Sequence, residues 1–197
     1  DLMLGHDFLY DSSGSGELTQ VNLPYAGRLR WAYQSFTYTG SRTLREAQYR
    51  YLTKATGAAE TTYTFTRTGG GGSGTTHSSA TLDDPSGIGQ KAWTFSTGGA
   101  SWQTGLVTSH EVRPAAGQNA MRRQDFTWTQ DADGNPYISS VLSTLDPGAA
   151  YQVQTKTDQT LDTHGNLTQT KVYHYGSLST PARTYDYNYT DNANLVS

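Results

Sequence analysis

Aromatic residues recur at alternate positions along this chain with Thr, Arg and Ser between them, and a period of two confines it to β-strands. Leu29, Trp31 and Tyr33 share one strand face while Arg28 and Arg30 take the other. Phe36 and Tyr38 continue the row after a change of parity, which places a β-bulge at Gln34-Ser35. Further rows are Tyr49/Tyr51, Tyr63/Phe65/Arg67, Trp93/Phe95, Phe126/Trp128, Tyr173/Tyr175 and Tyr185/Tyr187/Tyr189. Helix-forming residues gather only at Leu44-Arg45-Glu46-Ala47. The Tyr49-Arg50-Tyr51 continuation alternates, so Thr43 to Thr56 is expected to be strand as well.

Turn chemistry separates the rows: Ser12-Ser13-Gly14-Ser15-Gly16, Pro24-Tyr25-Ala26-Gly27, Gly98-Gly99, Asp133-Gly134-Asn135, Asp146-Pro147-Gly148 and His164-Gly165-Asn166. Each supplies Gly or Asn where a positive φ is needed, or Pro where φ is preset, so hairpins are the expected connections. Gly69 to Gly74 is low in complexity and reads as a flexible loop inside one domain spanning residues 1–197.

Composition narrows the function classes. Counted with Gly in place of Tyr, apolar residues make up about 38% of the 197 residues, against a usual 45–50%. So thin an apolar content suits broad sheets with partly wet faces. A net charge of −3, with Lys and Arg scattered apart from pairs such as Arg28/Arg30 and Arg122-Arg123, gives no footprint for nucleic acid or an anionic membrane. No apolar run approaches the ~20 residues of a spanning helix, so direct membrane insertion is not expected. The absence of cysteine excludes disulfides and CxxC sites and leaves the redox compartment open. The chain starts at Asp1 with no initiator Met or signal peptide, and is expected to be part of a longer protein.

Two corners repeat. Asp131-Ala132-Asp133-Gly134-Asn135 and Asp162-Thr163-His164-Gly165-Asn166 carry their Gly-Asn pairs 31 positions apart, more than one hairpin at strand rise and within the 20–50-residue range of repeat architectures. Together with Tyr10-Asp11, Gly16-Glu17-Leu18-Thr19-Gln20-Val21, Leu23-Pro24-Tyr25-Ala26-Gly27, Leu29-Arg30-Trp31-Ala32-Tyr33, Asp162 to Thr170 and Tyr185-Asp186-Tyr187-Asn188-Tyr189, these residues resemble the RHS or YD-repeat family of bacterial polymorphic toxins, insecticidal toxin complex shells and teneurins. The resemblance covers both ends well and residues 57–120 poorly. It implies a bacterial, secreted or surface-exposed β-ribbon that spirals into a hollow shell around a toxin or effector. The arginine-rich, Asp-Pro-containing segment that closes many such shells is missing, and so is a toxin region after it, so the chain corresponds to an internal stretch of wall.

The motifs that carry chemistry read as structure. Asp131, Asp133 and Asn135 alternate like calcium ligands, but an EF-hand loop wants Gly and Glu where Pro136 and Leu142 stand, so a hairpin corner is the better reading. Asp84-Pro85-Ser86-Gly87-Ile88-Gly89 is similar to the self-cleavage signature of some RHS shells. Asp83 and Asp84, being adjacent, point to opposite strand faces, so a turn is expected. His6, His77, His110, His164 and His174 show no metal spacing; His164 is expected in a turn and His174 on a strand surface. No G-x-S-x-G elbow is present, and Gly70-Gly71-Gly72-Ser73-Gly74 lacks the Lys and helix of a phosphate cradle.

The expectation is therefore an all-β chain of repeated antiparallel hairpins forming a curved or spiral, open-edged sheet, without enzymatic activity, cofactor or metal. Its partners are neighbouring repeats of the parent chain, and its edges, Leu2–Tyr10 and Tyr185–Thr190, are expected to self-associate. The alternative is a carbohydrate-binding or adhesion module that stacks sugars on Trp31, Trp93, Trp102 and Trp128.

Overall fold

The structure is a computed structural model that describes residues 5–69, 74–85 and 89–189. Thirteen strands form one antiparallel sheet in strict chain order, β1 to β13, each bonded to the next. They are β1 Asp7–Tyr10, β2 Leu18–Asn22, β3 Arg28–Tyr38, β4 Arg42–Thr53, β5 Thr61–Gly69, β6 His77–Asp83 and β7 Gln90–Phe95. The second half adds β8 Val107–Arg113, β9 Arg122–Gln130, β10 Pro136–Leu145, β11 Val153–Leu161, β12 Leu167–Tyr173 and β13 Arg183–Asp186. Three 3-10 turns, Pro24–Ala26, Thr39–Ser41 and Ser101–Gln103, are the only helical residues described. The sheet is open, and the all-β expectation holds; the strand expected over Thr43 to Thr56 ends at Thr53, and residues 54–56 lie outside it.

A repeat more regular than its corners emerges from the register. Every even-numbered strand from β2 to β12 contains one residue that the preceding strand does not match: Thr19, Gln48, Ser78, Thr108, Ser139 and Thr168. Their spacings are 29, 30, 30, 31 and 29 residues. Five of the six are Ser or Thr, and each of those hydroxyls donates across the hairpin. Thr19 bonds the Leu9 carbonyl (3.1 Å), Ser78 that of Thr68 (3.1 Å) and Thr108 that of Thr94 (3.2 Å). Ser139 bonds Thr127 (3.3 Å) and Thr168 bonds Thr160 (3.1 Å). A bulge interrupts the ladder, and the short hydroxyl satisfies a carbonyl that the bulge disturbs. The unit is thus one bulged hairpin of about 30 residues, and the 31-residue corner spacing holds two strands, β10 and β11.

The corners cap themselves. Asp131 Oδ1 accepts the backbone N–H of Asp133 (3.0 Å) and Asn135 (2.8 Å), and Oδ2 accepts Asn135 Nδ2 at 3.1 Å. Asp162 repeats the pattern with His164 (2.8 Å) and Asn166 (2.9 and 3.1 Å). Gly134 and Gly165, at φ 83° and 80°, supply the left-handed residue each corner needs. The carboxylates thus hold the turn's own N–H groups. Hydrogen bonds from Asn135 hold the Asp131 carboxyl below its ordinary 3.8, and those from Asn166, its side chain first, do the same for Asp162. A depressed carboxyl stabilises the fold above its unfolded value, and that stability is lost as pH falls through the lower folded value. The urea midpoint should therefore fall as pH drops below about 3.8, and the double variant Asp131→Ala/Asp162→Ala should show a shallower fall; equal slopes would refute the corners' role.

Three sequence expectations are corrected. The bulge lies at Gln48 in β4, not at Gln34-Ser35; β3 is continuous, so Phe36 and Tyr38 are on the face opposite Trp31 and Tyr33. His174 and Tyr175 follow the end of β12 instead of continuing it, because the chain turns at Gly176, φ 80°. Tyr187 and Tyr189 lie beyond β13, although the Tyr187 N–H still donates to the Thr168 carbonyl at 2.8 Å. Leu2–Leu4, Gly70–Ser73, Ser86–Ile88 and Thr190 lie outside the described residues.

Register also sorts the two faces, since paired residues share one. Val21, Leu29, Trp31, Tyr63, Phe65, Leu82, Trp93, Val112, Phe126, Trp128, Val141 and Val172 fall on one side. The other carries ion pairs: Arg30 with Glu60 (2.6 Å), Arg113 with Glu111 (2.6 Å), Arg123 with Asp125 (2.6 Å) and Lys156 with Asp158 (2.9 Å). The expectation of partly wet faces is thereby refined: one face carries most of the aliphatic and aromatic rows, and the other most of the ion pairs. Among the described residues only the tip of the β3–β4 hairpin lies over the first, apolar face, at β5 and β6. Val21, Tyr38 and Tyr173 are the only buried hydrophobic residues described, and no described side chain is below 2% exposure. The accessible surface is 12633 Å² for 21.5 kDa, where a compact monomer exposes about 9,200 Å².

Candidate functional site

Two features of the apolar face stand out. The first is where the repeat breaks. Gln48 occupies the bulge that Ser or Thr fills elsewhere, and beyond the Tyr49–Thr64 pair β4 separates from β5. The tip of the β3–β4 hairpin steps above the sheet, so Phe36, Tyr38 and Glu46 meet Arg67 and His77 of β5 and β6. Phe36 packs edge-on against His77 with centroids 4.8 Å apart. Glu46 binds Arg67 Nε (2.9 Å) and His77 Nε2 (3.0 Å) and accepts the Tyr38 hydroxyl. Arg67 Nη2 donates to the Ala47 carbonyl at 2.7 Å, where a ladder bond would otherwise lie. His77 Nδ1 is 2.9 Å from the Gly69 carbonyl.

Two members of this cluster are buried, Tyr38 at 4% and His77 at 8% exposure. Burial first, and then Glu46, push the Tyr38 hydroxyl up to about 12. Because the folded value is raised, the neutral phenol stabilises fully below its unfolded value near 10, and that contribution disappears as pH rises toward 12. An ultraviolet titration should show one phenol ionising near 12, absent from Tyr38→Phe; an unchanged titration in that variant would contradict the assignment.

The second feature is a hollow of about 300 Å³ across β4 to β8, lined by Arg50, Tyr63, Leu82, Asp84, Gly89, Gln90, Lys91 and Val112. Arg50 pairs with Trp31 on one side and Tyr63 on the other, and its guanidinium carbon lies 4.4 Å from the Tyr63 ring centroid.

The four tryptophans are all half-buried. Trp31, Trp93 and Trp128 share the apolar face, whereas Trp102 belongs to the 3-10 turn Ser101–Gln103. Trp93 stacks on His110 (5.2 Å, 20°), and Trp128 Nε1 donates to the Val107 carbonyl at 2.7 Å, tying β9 to β8. Trp31 is four strands from Trp93, roughly 19 Å at usual strand spacing, so the three rings do not form one continuous platform. Sequence reasoning placed Glu46, Arg50 and Arg67 in strands without giving them a functional role, and did not single out Lys91. The only local signal was Arg50 between two tyrosines.

Fold and site together define an open, sequentially wound β-sheet of bulged hairpins with a largely uncovered apolar face. No helix among the described residues is long and apolar enough to cross a membrane. No protein-family model matches the chain, and no curated protein matches it. Among solved structures, the chain is similar to part of the Photorhabdus luminescens Tc holotoxin pore at 12% identity and a TM-score of 0.45. That match covers 92% of this chain and 9% of the other.

Proposed function

We propose that this chain is a non-enzymatic wall segment of an RHS-type β-shell, secreted or displayed on a bacterial surface, that encloses or presents a toxin or effector. One observation carries the reading: the bulged hairpin recurs every 29 to 31 residues through β2 to β12. A unit that adds two strands to the same sheet each time has no internal reason to stop, since every unit buries its ladder only against the next. The two faces suit a wall, one presenting ion pairs to water and the other an apolar surface to what it encloses. Electron cryomicroscopy of the complete protein tests it. The expected result is β1 and β13 each paired to a further strand, with the apolar face turned to a lumen. A second sheet packed over the apolar face would overturn the reading. The glycan-binding alternative rests on Trp31, Trp93 and Trp128 sharing one face; glycan-array binding lost on Trp31→Ala would favour it.

A further inference from the structure

We propose that the hollow across β4 to β8 receives a carboxylate-bearing polypeptide segment, with Arg50 and Lys91 binding the acid and Leu82 and Val112 taking a neighbouring apolar side chain. Arg50 Nε is buried and bonds to nothing among the described residues, and neither Arg50 nor Lys91 has an ion pair there. A desolvated guanidinium N–H without an acceptor is costly, because a charged donor that loses water must find another partner. On the opposite face, by contrast, arginines such as Arg30, Arg113 and Arg123 are matched to a carboxylate. Arg67 Nη1 and His110 Nε2 are also buried without an acceptor, but Arg67 already holds Glu46 and neither residue lines the hollow, so Arg50 is the arginine there whose carboxylate is supplied from outside.

Chemistry selects the occupant. A planar guanidinium fixed on an aromatic ring presents its fork to a carboxylate bidentately. The Tyr63 ring face carries Arg50 at 4.4 Å and is not available for a sugar to stack on. Leu82 and Val112 are aliphatic, which suits an apolar residue beside the acid better than a hydroxylated ring or a bare anion. Asp84 lines the same hollow, bonded within the protein, and leaves the hollow with one net positive charge. The site stands on these contacts and does not require the wall reading.

Amide chemical-shift titration of the chain with the peptide acetyl-Val-Glu-Val-amide tests it. The expected result is saturable shifts at residues 50, 63, 82, 91 and 112, and binding roughly tenfold weaker for acetyl-Val-Gln-Val-amide, the usual scale for one charged hydrogen bond. Binding is lost in Arg50→Met and retained in the exposed control Lys54→Met. Lys91→Met, at an exposed position, repeats the test if Arg50→Met does not fold. Equal binding of the two peptides, or binding unchanged in the Arg50 and Lys91 variants, would overturn the proposal. So would tighter binding of glucuronate or inorganic phosphate at the same residues.

Discussion

Glu46→Ala should lower stability by about 3 kcal/mol, the cost of leaving a largely buried charge without its partner. Glu46 accepts from Tyr38 and Arg67 and lies 3.0 Å from His77 Nε2. The Arg67 side chain is 13% exposed and cannot recover its water without breaking the hairpin tip away from β5 and β6. Arg67 also donates to the Ala47 carbonyl, so the loss spreads to the bulge. Urea unfolding measures this directly. Because the loss comes from the stranded charge, Glu46→Leu combined with Arg67→Leu should be milder than Glu46→Ala alone. A change below about 1 kcal/mol in Glu46→Ala would place the cluster among exposed ion pairs that contribute little.

The second large effect concerns the edges. β1 offers Phe8, Leu9 and Tyr10 at 56%, 45% and 61% exposure, and β13 offers Tyr185 at 44%, each strand with one row of unpaired backbone groups. An exposed apolar edge recruits another strand, and a Lys there opposes it. The chain is therefore expected to associate with rising concentration in sedimentation velocity, and Phe8→Lys/Tyr185→Lys should hold it monomeric. A parent chain that stays monomeric throughout would remove the edges from the account.

Much of the fold was legible because each strand carries its own period-2 record, and each corner its Gly and Asn. Strand at Thr43–Thr53 and the corners at Asp131 and Asp162 followed from local chemistry alone. The bulge repeat was not read, since an unpaired Ser or Thr in a Thr-rich strand looks like any other until register shows what faces it. In retrospect the signal was an apolar residue followed by Ser or Thr: Leu18-Thr19, His77-Ser78, Val107-Thr108, Ile138-Ser139 and Leu167-Thr168, with His77 the one non-aliphatic member. Gln48 misled for the same reason. The parity change seen in β3 reflected Phe36 and Tyr38 serving the opposite face, while the extra residue lay in the partner strand. The Glu46–Arg67–His77 cluster was illegible because its members are 10 to 31 residues apart and meet only where the hairpin tip steps over β5 and β6.

Beyond the β3–β4 hairpin tip the apolar face has no covering layer among the described residues, and solvent paramagnetic relaxation on the monomeric edge variant tests this most directly. A soluble gadolinium chelate should attenuate the methyl signals of half-buried Leu82, Val112, Val141 and Val172 along that face clearly, though less than those of exposed Leu44. Methyls protected across the face, as in a sandwich core, would contradict the account.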